Sequence, residues 1–119
     1  EGFDFRLSKP GYYGHGTYFA SQACKSHTYT QPKFQLRTML ISRVAIGDMS
    51  YASKVDKDCR RPPVREGTHR CHDSIVAKPG PMQGHKDGFQ THQEFVVFDK
   101  FQAYPELIVQ YTRRFYFLV

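Results

Sequence analysis

At 119 residues the chain has room for one compact domain and not for two, and an apolar fraction of 39% with 15% aromatics excludes a chain disordered throughout. Seventeen Lys and Arg against eleven Asp and Glu leave a formal charge of +6, yet the cations are scattered and only Arg60-Arg61 and Arg113-Arg114 are adjacent, which disfavours a dedicated nucleic-acid surface. Three cysteines, Cys24, Cys59 and Cys71, form no disulfide pattern and point to a reducing intracellular setting, nucleus or cytoplasm; no apolar run approaches the roughly 20 residues of a membrane span, so no membrane partner is expected.

In chain order, residues 1–10 (EGFDFRLSKP) alternate loosely through Phe3, Phe5 and Leu7 and break at Lys9-Pro10-Gly11, the pattern of an extended piece entering a turn. The chain opens without an initiator methionine, which suggests an excised piece of a longer protein. A glycine-punctuated turn follows (Gly11, Gly14, Gly16), and its glycines permit a close approach of backbone to a ligand. It delivers Tyr18 and Phe19 into a short helical pattern over residues 21–29. With Ser21 as N-cap, Ser26 and Tyr29 lie three apart on one face of that helix.

After a break at residues 30–33, residues 36–47 are aliphatic and β-branched and end in Gly47, which predicts a central strand. Ser74-Ile75-Val76-Ala77, Glu94 to Phe98 and Leu107 to Tyr111 are apolar runs of strand length that supply its partners. Residues 48–71 and 78–92, rich in Pro, Gly and charge, read as long surface loops. The tail after Arg113-Arg114 is apolar enough to pair as an edge strand. No stretch supports a helix longer than about three turns, so the expected fold is α+β, rich in β, with two small packed sheets and few short helices.

Two groups of side chains invite chemistry. A turn bearing Tyr18 and Phe19 beside a helix bearing Ser26 and Tyr29 suits a flat, polar, aromatic ligand; the alternative is core aromatics and an ordinary surface hydroxyl. Glu94 opens an apolar strand, where a carboxylate is unexpected unless it has a partner, the alternative being an exposed strand end. Cys59, His69, Cys71 and His72 match no paired metal-ligand spacing and no metal is expected. Glu66 and Asp73 have nothing beyond sequence proximity to make them an acid/base pair.

Tyr13-Gly14-His15-Gly16-Thr17-Tyr18-Phe19-Ala20, followed by Lys25-Ser26 and Tyr29, resembles the nicotinamide-binding segment of the poly(ADP-ribose) polymerase catalytic domain, among the diphtheria-toxin-like ADP-ribosyltransferases. Residues 39–48, 72–77 and 93–111 follow in the family's order, so the likeness runs from about Phe3 to Tyr111. It implies an ADP-ribosyltransferase-like fold, NAD as ADP-ribose donor, protein acceptors, and release of nicotinamide. It implies that Tyr18 and Tyr29 stack on the nicotinamide, that Ser26 binds its carboxamide beside Gly16 and Phe19, and that Glu94 bonds the ribose 2′-hydroxyl as a catalytic group with Tyr18. It also implies that Arg6 or Lys9 lies in a loop covering the dinucleotide, and that Gln102 falls near the family's Ala-Gln pair. A glutamate at Glu94 leaves chain elongation open, whereas Leu, Ile or Tyr there accompanies single-unit transfer or inactivity.

One departure stands out. The family's His-Gly pair, whose histidine contacts the adenosine ribose, lies farther upstream of Tyr18 than the seventeen residues available here; His15 belongs to the later motif. Residues 1–119 are therefore expected to be a partial catalytic domain lacking its N-terminal strand. The competing expectation is a non-catalytic or truncated fragment that serves as an interaction module.

Overall fold

A computed structural model describes residues 10–112. Four strands form the main sheet: β1 (Thr17–Ala20), β3 (Met49–Tyr51), β4 (Ser74–Ala77) and β7 (Glu94–Val97), in spatial order β1-β7-β4-β3. β7 runs antiparallel to β1 on one side and to β4 on the other, while β3 joins β4 in parallel through a long crossover. Two ribbons complete the β structure, β2 (Arg37–Val44) with β8 (Ala103–Tyr111), and β5 (Gly80–Pro81) with β6 (Phe89–Gln90). The helices are short: α1 (Ala23–His27) and a 3-10 turn, Lys100–Gln102. The architecture is the expected β-rich α+β domain of small sheets and few helices.

The core lies on β4 and β7 because these segments are apolar on both faces. Every residue of β4 is buried, as are Val96 and Val97 of β7. Ile75, Ala77, Val96 and Phe98 cluster with Tyr13 and Met82, and Tyr12, Tyr18, Ala52, Val55 and Cys59 pack around them. Each fully buried β-branched side chain there contributes about 1.5–3 kcal/mol.

Residues 36–47 do not form the central strand. β2 spans Arg37–Val44 and pairs, among the described residues, with β8 alone. Its polar residues explain this: Arg37, Thr38, Ser42 and Arg43 interrupt the aliphatic run, half of β2 stays exposed, and Arg43 pairs with Glu106 of β8 at the surface. The central position falls to β7, which has no such interruptions after Glu94.

The two long loops are partly structured. Residues 48–71 begin with β3, and Asp48 is held at its entrance by its backbone N–H bonding Asp73 Oδ2 at 2.7 Å. Arg65 reaches both carboxylates at 3.1 Å, and His72 Nδ1 lies 3.3 Å from Asp48. His72 and Asp73 thus staple the crossover to the entrance of β3. Residues 78–92 fold into the β5–β6 ribbon. The 3-10 turn is closed by a capping box between Asp99 and Gln102, and Gln102 also donates to the carbonyls of Asp73 (2.7 Å) and Ala45 (3.2 Å). One amide therefore joins the exit of β7, the entrance of β4 and the end of β2. Arg6, Lys9 and the apolar tail lie outside the described residues.

Candidate active site

A cleft of about 1310 Å³ opens between β1, α1 and β2. The turn before β1 builds one wall. Gly11 and Gly14 exchange backbone hydrogen bonds at 3.1 and 3.2 Å, so Tyr12 and Tyr13 occupy the tip of a tight turn. Gly14 has φ +105°, and a Cβ there would also run into the Cys59 backbone, so both torsion and space require glycine. Gly16 is buried, and a Cβ would stand 2.5 Å from Val96 Cγ1 and 2.7 Å from Val97 O. Its smallness lets β1 close on β7.

Tyr18 is held from two sides. Its hydroxyl accepts from Tyr13 N at 2.8 Å and donates to Gly14 O at 2.9 Å. Burial pushes its pKa well above the ordinary phenol value. With the hydroxyl committed to the turn, the ring is what Tyr18 offers the cleft. Phe19 and Gly16 line the cleft beside it.

α1 begins later than Ser21 would have it. The N-cap is Gln22, extended at φ −113° and ψ 126°, with no side-chain capping bond; Ser21 lies one residue outside and is exposed. α1 closes at His27, and the chain continues in tight i→i+3 turns, with Tyr29 N–H bonding Ser26 O at 3.1 Å. The hydroxyls of Thr28 and Thr30 satisfy the carbonyls of Lys25 and His27, which stops the helix there. Ser26 and Tyr29 nevertheless both line the cleft. Tyr29 is 68% exposed, its ring available rather than packed in a core.

Glu94 is the first residue of β7 and opposes Ala20 of β1. It is 5% exposed and lines the same cleft, so it is no solvated strand end. Among the described residues it meets Gln90 and Lys25. Gln90 Nε2 donates to Oε2 at 2.8 Å, and Lys25 Nζ stands 4.0 Å from Oε1. The Lys25 ammonium also lies 5.3 Å from the centroid of the Tyr29 ring, so it is near both the carboxylate and the phenol. Cys24 Sγ approaches His92 Nε2 at 3.3 Å and links α1 to the segment leading into β7.

The structure thus brings Tyr18, Phe19, Ser26, Tyr29 and Glu94 to one cleft, with Gly16 in its wall. Lys25, Gln90 and Tyr13 were not singled out by sequence reasoning. Lys25 and Tyr13 carried a signal, since both stand within the quoted motif; Gln90 carried none, because contacts between remote segments give it its importance. Cys59 donates its thiol to Arg61 O at 2.8 Å, and burial raises its pKa.

Residues 2–113 match the family model of the poly(ADP-ribose) polymerase catalytic domain. The chain is 37% identical over 103 residues to the human protein mono-ADP-ribosyltransferase PARP12, covering 84% of this chain and 13% of that protein. It is 35% identical over 101 residues to the mouse protein of the same name, covering 84% and 12%. The chain therefore spans about an eighth of the length of these relatives. With motif order, strand-rich fold and family match in agreement, the chain belongs to the poly(ADP-ribose) polymerase catalytic domain family.

Proposed function

We propose that this chain is an NAD+ ADP-ribosyltransferase domain that transfers ADP-ribose to protein acceptors and releases nicotinamide. The observation that carries the reading is Glu94, a buried carboxylate opening on a cleft that also holds Tyr18, Ser26 and Tyr29.

The reaction breaks the bond between the nicotinamide ring nitrogen and the ribose anomeric carbon. The bonding pair leaves with nicotinamide, positive charge builds on the sugar as in glycoside cleavage, and an acceptor nucleophile closes the new bond. Tyr29 and Tyr18 offer ring faces to the cationic nicotinamide, each good contact being worth about 0.5–2 kcal/mol. Ser26 supplies a hydroxyl for the carboxamide, with Gly16 and Phe19 forming the wall beside it. Glu94 accepts a hydrogen bond from the ribose 2′-hydroxyl, and that bond strengthens as the sugar becomes positive. In this reading residues 1–119 are part of a longer catalytic domain that works inside the cell, in the nucleus or the cytoplasm.

Glu94→Gln in the full natural chain is expected to lower incorporation of labelled ADP-ribose about a hundredfold, the usual effect of losing one electrostatic contact to the transition state, while NAD binding persists. An unchanged rate would refute the role of Glu94; failure of the parent protein to bind NAD would favour the non-catalytic interaction module. The size of the attached product separates single-unit transfer, the activity in the relatives' names, from the elongation that a glutamate at this position leaves open.

A further inference from the structure

Glu94 is held by a chain of buried polar groups reaching back to the turn at the start of the fold. Tyr13 is 2% exposed, Gln90 3% and Glu94 5%. The Tyr13 hydroxyl donates to Gln90 Oε1 at 2.6 Å, and Gln90 Nε2 donates to His92 O at 2.7 Å and to Glu94 Oε2 at 2.8 Å. We infer that Gln90 is the positioning residue for Glu94, with Tyr13 fixing the orientation of the Gln90 amide, so that Oε2 is occupied by the protein and Oε1 is left to meet the substrate. The inference rests on the catalytic reading of Glu94 given above.

The chemistry admits one orientation of the amide. Both hydrogens of Nε2 are used, one on a carbonyl and one on a carboxylate, and Oε1 takes the phenol proton. Turned over, the amide would set its oxygen against two other acceptors, His92 O and Glu94 Oε2, with no proton between them. A glutamate at position 90 would have no hydrogens to give. Tyr13 remains a donor because burial and the nearby Glu94 raise its pKa.

The β5–β6 ribbon gains a purpose from this arrangement. Gln90 ends β6 opposite Gly80, so the ribbon delivers one amide beneath β7. Oε1 faces the Lys25 ammonium at 4.0 Å, too far for a close ion pair, and Glu94 lines the same cleft as Ser26.

The test compares Gln90→Met, Tyr13→Phe, the double variant and Glu94→Gln in the full natural chain. Nicotinamide release is measured over a range of NAD at a temperature where each variant is folded. Gln90→Met is expected to lower kcat about tenfold, the rate equivalent of one hydrogen bond to a charged group, and to leave KM for NAD within about twofold. Tyr13→Phe, which keeps the ring in the core, is expected to lower kcat about threefold through loss of amide orientation. The double variant should fall no further than Gln90→Met, because Tyr13 acts through the amide. Independent, multiplying losses or a change confined to KM would overturn the inference. If Gln90→Met does not fold, Tyr13→Phe decides, and an unchanged kcat there overturns it. Should Glu94→Gln also turn over normally, the catalytic reading itself fails; should Glu94→Gln alone be inactive, only the positioning role is lost.

Discussion

Tyr13 and Tyr18 are both phenols removed from water, and each holds its proton more firmly in the folded chain than in the unfolded one. For Tyr13 the pKa is pushed up from 10.0 to about 12, first by burial and then by the Glu94 charge; for Tyr18 it is also raised. The unfolded chain gives up these protons first. The stability they support is therefore complete below pH 10 and is lost as pH rises through about 12 for Tyr13. Urea unfolding followed at pH 8 and pH 11 should show a marked alkaline drop in midpoint, and Tyr13→Phe should make that drop smaller; an equal drop in both proteins would mean that Tyr13 titrates as an exposed phenol. At this scale the sequence was legible where a residue was out of place in its own segment. Glu94 stood out because a carboxylate opened an apolar strand. Gln90 did not, because a glutamine between two polar loops is ordinary until the fold sets a phenol on one side of it and a carboxylate on the other.

β1 and β7 form the element pair on which the cleft depends, since their register sets Ala20 opposite Glu94 and Tyr18 opposite Val96. Gly16 controls that approach. Gly16→Ala would set a methyl carbon 2.5 Å from Val96 Cγ1, and the overpacking should cost about 1–3 kcal/mol. A thermal or urea melt measures it; an unmoved midpoint would show that the strands can part to accept the methyl group. Strands 74–77 and 94–97 were legible in sequence because both their faces are apolar and their ends are marked by polar residues or turns. The limits of α1 were not, since Ser21 is a good capping residue that the chain passes in extended form. Nor was the placement of β2, because aliphatic content alone does not separate an interior strand from a ribbon with one half-covered face.

Over the whole molecule, the β2–β8 ribbon carries the largest run of uncovered apolar surface among the described residues. Leu40 lies opposite Ile108 and Ile41 opposite Leu107, and all four are exposed. Phe34, Phe101 and Tyr104 add to the exposed apolar residues of the described chain. Successive residues of a strand face opposite ways, so these pairs leave apolar side chains exposed on both faces of the ribbon, and such surface drives association in water. The 119-residue chain on its own is expected to bind an apolar dye and to elute ahead of a monomer in gel filtration. The paired substitutions Leu107→Lys and Ile108→Glu should reduce both effects; dye binding that survives them would locate the sticky surface elsewhere. Composition gave no warning of this, because 39% apolar residues is an ordinary total and only the fold decides how many are covered.

The register of β1 against β7 has a consequence for how the protein comes to life. Glu94 and the aromatic rings belong to distant parts of the chain and meet across a single antiparallel pairing, so the cleft that holds them exists only once that pairing has closed. On the proposed function, the return of turnover in a refolding experiment would report the closing of the sheet itself.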